Sequence, residues 1–263
     1  MKLFAAAGLA ATIISSTALA DNFDVRPARD RIGRLYEYVR SNSDGSNRER
    51  IVVFRRSAEA LEVYKARQRC TGAALVTAEM DFKARSARRI TGGRLMPEAK
   101  HREFAFLSYD DQNSSLAVDV QLPEQHLNLE LDIADGPWHL YDFDFASLTV
   151  MTPHLANIEQ GFSFELPMLW ADPADNPLRN LGQVQARYAG EGSLKGQAFL
   201  RYEVSGGSMG QILLDASDGH IVLAELDQPN HPGYRDFKLE LVSVSDGGLP
   251  EWTSMLREHY ADC

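Results

Sequence analysis

After its first twenty residues the chain contains no long apolar run. That removes a membrane-spanning helix from consideration, since a span takes roughly twenty consecutive apolar residues. Cysteine is scarce, with only Cys70 and Cys263, which excludes a disulfide-dense mini-scaffold and any Cys-x-x-Cys metal or redox motif. The histidines (His101, His126, His139, His154, His220, His231 and His259) never pair at the spacing of a metal-binding helix, and His-Glu-x-x-His is missing. The acids around Asp215 and Asp218 lack the alternating oxygen ligands of a calcium loop. No motif calls for a metal or a cofactor. Excess positive charge is also absent: 27 Lys and Arg against 37 Asp and Glu leave a net charge of −10. Such a chain repels nucleic acid and anionic lipid surfaces, so no nucleic-acid partner is expected. The early arginines (Arg26, Arg29, Arg31, Arg34, then Arg85, Arg88, Arg89) are interspersed with acids and read as a solvated face. Heptads, low-complexity tracts and strong internal repeats are missing as well.

What is present begins with an address. Lys2 precedes an apolar run from Leu3 to Ile14, and Ala18-Leu19-Ala20 has the small-x-small pattern cut by a signal peptidase. A secretory leader over 1–20 is expected, with cleavage before Asp21. The apolar run is too short for an anchor, and no cysteine stands at the cut to take a lipid. Lys2 is the only charged residue of that leader, so its removal takes the net charge from −10 to −11. A periplasmic or secreted location is the expectation, with 21–263 forming one exported β-rich domain. An oxidising compartment favours a bridge between Cys70 and Cys263, pinning the C-terminal tail; two free thiols are the alternative.

Alternation of apolar and polar residues marks half-buried strands. It recurs at Leu35–Arg40, Arg50–Arg55, Ala60–Lys65, Arg102–Tyr109, Ser115–Leu122 and Leu127–Ile133. It continues at Trp138–Phe145 (extended by Ser147–Met151), Val184–Tyr188, Ala198–Leu226 and Phe237–Leu241. The stretch 198–226 holds three strands, broken by Ser205-Gly-Gly-Ser208 and by Asp218-Gly219, a hairpin signal. Residues 71–89 mix helix and strand formers and are read as strand, with Gly92-Gly93 turning the chain. Residues 152–182 interrupt the meander: Phe162 and Phe164 allow a short strand, and the run after them, with Pro167, Pro173 and Pro177, reads as a loop, because proline lacks the donor a ladder needs. Pro250 followed by Trp252, Met255, Leu256 and Tyr260 at helical spacing predicts a closing amphipathic helix. The fold class is therefore mainly β: an antiparallel meander forming a curved sheet or half-barrel of about ten to twelve strands, with a C-terminal helix.

Three stretches bear on chemistry. Gly206-Gly207-Ser208-Met209-Gly210 matches G-x-S-x-G, but that motif needs a strand-to-helix elbow, and here strands flank it on both sides. A turn serine is the reading, although Asp215, His220, His231 and Asp236 lie downstream. His231-Pro-Gly-Tyr234-Arg235-Asp236 gathers imidazole, phenol, guanidinium and carboxylate; it is either a ligand-facing loop or a hairpin whose polar groups bond locally. Met168, Leu169 and Trp170 make the proline-rich stretch apolar, as a lid over a sheet or a plug at its edge.

The Leu35–Arg55 hairpin, the 198–226 meander and the helix at Pro250–Tyr260 together resemble the periplasmic lipoprotein-carrier superfamily in architecture. That resemblance implies an unclosed half-barrel with helices in its concave side. Its members carry acyl chains, act as envelope scaffolds or, in a pigment pathway, work as enzymes. No motif matches residue by residue, so no site residue is carried over. Three functions stay open. The first is binding or carriage of an apolar, lipid-like ligand in the bacterial cell envelope by Met168, Leu169, Trp170, Tyr234 and Arg235. The second is a periplasmic enzyme using His231 and Asp236. The third is an envelope structural or assembly factor acting through protein contacts. An open apolar cavity would favour the first, a polar cleft the second, and a filled interior the third.

Overall fold

The computed structural model describes residues 22–134, 136–170 and 177–263. The expected leader, Asp135 of the turn before Trp138, and Pro173 lie outside them. Fourteen strands form one antiparallel sheet. The first eight are β1 (Leu35–Ser41), β2 (Glu49–Ser57), β3 (Ala60–Ala66), β4 (Ala74–Asp81), β5 (Ser86–Met96), β6 (Lys100–Asp110), β7 (Ser115–Leu122) and β8 (Gln125–Asp132). The other six are β9 (Phe162–Leu169), β10 (Leu178–Leu194), β11 (Gln197–Gly206), β12 (Gly210–Asp215), β13 (Ile221–Leu226) and β14 (Phe237–Ser245). The order β8-β7-β6-β5-β4-β3-β2-β1-β14-β13-β12-β11-β10-β9 describes two meanders. The chain starts in the middle, winds out to β8, crosses to the far edge at β9, and winds back until β14 pairs with β1.

Laid flat, fourteen strands at 4.8 Å spacing would span about 60 Å. Yet one apolar cluster collects side chains from every part of the sheet, including Tyr36 and Tyr38 (β1), Leu107 (β6), Phe164 (β9) and Leu239 (β14). The sheet therefore curls around that cluster, and β8 comes to lie against β10. We call this the inner face. Its filling is the crossover between β8 and β9. There Tyr141–Phe143 is a 3-10 turn and α1 (Ala146–Met151) is a short helix, and Trp138, Tyr141, Phe145, Leu148 and Met151 are all fully buried.

This corrects the strand expected over Trp138–Phe145 and Ser147–Met151. Aromatics at alternate positions mimic a strand, but His139, Leu140 and Asp144 between them are just as buried. Asp144 and Phe145 also adopt positive φ of 51° and 55°, which ends any extended run. Among the described residues the strand count rises from ten to twelve to fourteen, because 71–96 makes two strands and the short strand allowed by Phe162 and Phe164 forms and runs on to Leu169. Gly92-Gly93 does not turn the chain. It lies inside β5 at a register shift against β6, where a Cβ on Gly93 would collide with the Arg102 carbonyl and the His101 ring. The proline-rich loop contracts too. Pro167 and Met168 belong to β9, the edge strand, where a missing donor is tolerated. Beyond that edge, His139 N–H donates to Glu165 O (3.0 Å) and Glu165 N–H to Pro137 O (2.8 Å), so the crossover extends the ladder.

The opposite, outer face carries the terminal helix α2 (Gly248–Glu258). Its stripe of Trp252 and Leu256 covers Leu35, Val52, Phe54, Tyr64, Leu75 and Leu95, with the Trp252 and Phe54 rings stacked at 5.3 Å. The Trp252 indole N–H donates to Glu62, and Cys70 is bridged to Cys263 with Cα atoms 5.5 Å apart. His259 Nε2 faces the Thr71 carbonyl at 2.8 Å, so this nitrogen carries the proton and Nδ1 accepts from the Tyr64 hydroxyl at 2.7 Å.

Candidate functional site

The loop after β13 packs on the turn after β1. Asn47 Nδ2 donates to Gly233 O at 2.8 Å, Arg235 N–H to Asn42 Oδ1 at 3.0 Å, and Ser43 N–H to Asp236 Oδ1 at 2.7 Å. The exposed Arg235 guanidinium pairs with Asp44. Asp236 and Arg235 are thus engaged in holding two turns together. Tyr234 is buried, with its ring 4.7 Å from the Arg40 guanidinium carbon. His231 is half-buried, and its Nε2 is shut away from solvent without a partner among the described residues.

Beneath the loop lies an ion cluster. Tyr36, Tyr38 and Arg40 alternate along β1, and Leu61, Val63 and Lys65 along β3, so each inner face ends in a cation. Both cations converge on Asp144 of the crossover: Arg40 Nη1 donates to Oδ1 at 2.9 Å and Lys65 Nζ lies 2.6 Å from Oδ2. Asn230 Nδ2 adds a bond to the same carboxylate at 2.7 Å, and Glu49 of β2 pairs with Arg40. Burial pushes the Asp144 carboxyl up, but Arg40 and Lys65 more than offset this and hold it well below the usual range. Asp142, two residues earlier, is raised to about 6 by burial, only partly countered by Lys65 and by the Leu169 N–H it accepts at 2.9 Å. Burial, then Arg40 and Lys65, push His231 well down and keep it neutral. The cluster joins the crossover to β1, β2 and β3; it is a buried ion network, not a cleft.

Ser208 is buried in the β11–β12 turn and donates to Asp227 Oδ1 at 2.9 Å, the bond of a turn serine. Met168 is buried in β9 against the inner cluster, while Leu169 and Trp170 are half-buried beside it. The Trp170 ring stacks with Arg179 at 5.3 Å, and the Trp170 main-chain N–H donates to Pro177 O at 2.6 Å. These three residues lie near Asp142, whereas Tyr234 and Arg235 belong to the other loop; the Asp142–Leu169 bond links the two regions through the crossover.

The outer face holds a groove of about 390 Å³ between α2 and strands β1, β2 and β14. Apolar Leu35, Val52 and Met255 line it together with the acids Glu37, Glu251 and Glu258. Glu37 is matched by Arg50 (2.9 and 2.8 Å), while Glu251 and Glu258 accept from the hydroxyls of Ser245 and Ser254. The groove therefore has surplus negative charge. Neither it nor the Arg40–Asp144–Lys65 cluster was expected from the sequence. The available signal for the cluster was a charge extending an apolar face at the end of each of three neighbouring strands. In comparisons with known proteins, the chain matches no family model and no curated protein.

Proposed function

We propose that this chain acts in the cell envelope as a structural or assembly factor, binding a basic, amphipathic segment of another envelope protein in the groove beside α2. The single observation that carries the reading is the filled inner face: Trp138, Tyr141, Phe145, Leu148 and Met151 occupy the place a carried ligand would take. What supports the site is its chemistry. An aliphatic lining suits the stems of lysine or arginine, and the two surplus carboxylates suit their heads. The Cys70–Cys263 bridge and the leader-like 1–20 stretch support export.

The test is a photo-crosslinking residue placed at Ser254, followed by identification of the adduct. A single basic-segment partner is expected, lost in Glu251→Lys/Glu258→Lys protein that still folds. Crosslinking that ignores the charge reversal sinks the reading. Carriage of an apolar molecule has its own test: native mass spectrometry and lipid extraction of freshly purified protein. A stoichiometric lipid would replace the scaffold reading with the carrier one.

A further inference from the structure

The turn between β12 and β13 holds a cluster that neither the groove nor the ion network uses. Asp215 ends β12, Asp218 lies in the turn, and His220 stands just before β13. One carboxylate oxygen from each aspartate and one ring nitrogen of His220 all lie within 4.8 Å of one another. His220 is only 3% exposed, and neither of its ring nitrogens has a hydrogen-bond partner among the described residues. A neutral imidazole has one donor and one acceptor to satisfy. Leaving such a group unmet in the interior is unfavourable, so the position calls for a ligand.

We propose that Asp215, Asp218 and His220 bind a divalent transition-metal ion of the zinc class. One imidazole nitrogen and two carboxylate oxygens suit that ion, whereas magnesium and calcium favour all-oxygen shells of six or more. The remaining position would go to water, next to a hollow of about 200 Å³ that Asp215 and Asp218 line together with Arg29, Arg31 and Pro153.

The supporting bonds already aim the ligands. Asp215 Oδ1 accepts from Ser217 N–H (2.9 Å), Ser217 Oγ (2.6 Å) and Asp218 N–H (2.6 Å), and Oδ2 accepts from Gln197 (2.9 Å). Gly219, at φ 76°, lets the turn press on the crossover, where an added Cβ would sit 2.9 Å from Pro153 Cα. Burial keeps His220 neutral, and its neighbours hold both aspartates ionised, which are the ligating forms.

Two cations compete for the site. Arg31 and Arg34 bond Asp218 at 2.5 and 2.7 Å. Arg34 is shared with Asp246, but the Arg31 side chain is 38% exposed and can swing into solvent. Metal entry therefore displaces Arg31.

The test uses untagged, chelator-stripped full chain, titrated with zinc by calorimetry and with cobalt(II) by visible absorption. One ion per chain is expected, with the intense cobalt band of a low-coordinate site. His220→Gln should weaken binding by roughly a hundredfold, and Asp218→Asn gives a second ligand deletion should the first variant misfold. Arg31→Ala should tighten binding by roughly tenfold, because it removes the competing charge. His126→Ala, at the exposed His126–Asp119 pair, should change nothing. No uptake by the native chain, uptake that survives both ligand deletions, or weakening in Arg31→Ala would each overturn the site.

Discussion

The two faces of this sheet are covered in different ways. The inner face is covered by a crossover buried on every side, fastened by the charges of Arg40, Lys65 and Asp144. The outer face is covered by an amphipathic helix, fastened by a disulfide and the Trp252–Glu62 hydrogen bond. A segment buried all round has no solvated side to fix its orientation, so polar groups must set its register. A helix with one apolar stripe is oriented by the stripe itself and needs only a tether.

The largest test of that contrast is Asp144→Ala. It leaves Arg40 and Lys65 buried without their shared partner and should cost about 3–5 kcal/mol in urea unfolding. Hydrogen exchange should accelerate first around 138–151 and leave α2 protected; simultaneous opening of both would mean the covers are one unit. Next, replacing Cys70 and Cys263 by serine should cost about 2–4 kcal/mol, with faster exchange confined to 248–260.

Third, Asp142→Asn should stabilise the protein at neutral pH by on the order of 2 kcal/mol. The folded carboxyl is raised to about 6, against roughly 4 when unfolded. Its contribution is complete below about pH 4 and is lost as pH rises through about 6. The variant should therefore match the native chain near pH 4 and exceed it above pH 6. Asp144 runs the other way: held low, it stabilises above the ordinary carboxylate range and fails as pH falls. Smallest, Trp252→Phe keeps the stacking on Phe54 but drops the bond to Glu62, and should cost about 1 kcal/mol by thermal melting.

Legibility in the sequence followed the same division. Strands with one wet face were readable: Leu127, Leu129 and Leu131 alternate with Asn128 and Glu130, and β8 forms there. The terminal helix was readable from Trp252, Met255 and Leu256. The crossover was not, because periodicity is informative only where one side of an element meets water. Pro167 suggested a loop because a proline's cost in a ladder depends on whether the strand lies at an edge, and sheet order is not local information. The ion cluster escaped for a similar reason. Arg40, Lys65 and Asp144 are far apart in the chain, and only the curl of the sheet brings them together.

The seam between β1 and β14 has a consequence for how the protein is made. The two strands lie side by side at the centre of the sheet, yet Leu35 pairs with Ser245. Whichever of the two is delivered first must wait, its inward edge unpaired, until the other twelve strands have followed. Assembly of the two half-sheets is then a late event, and premature self-association through that waiting edge is the hazard a helper would have to prevent.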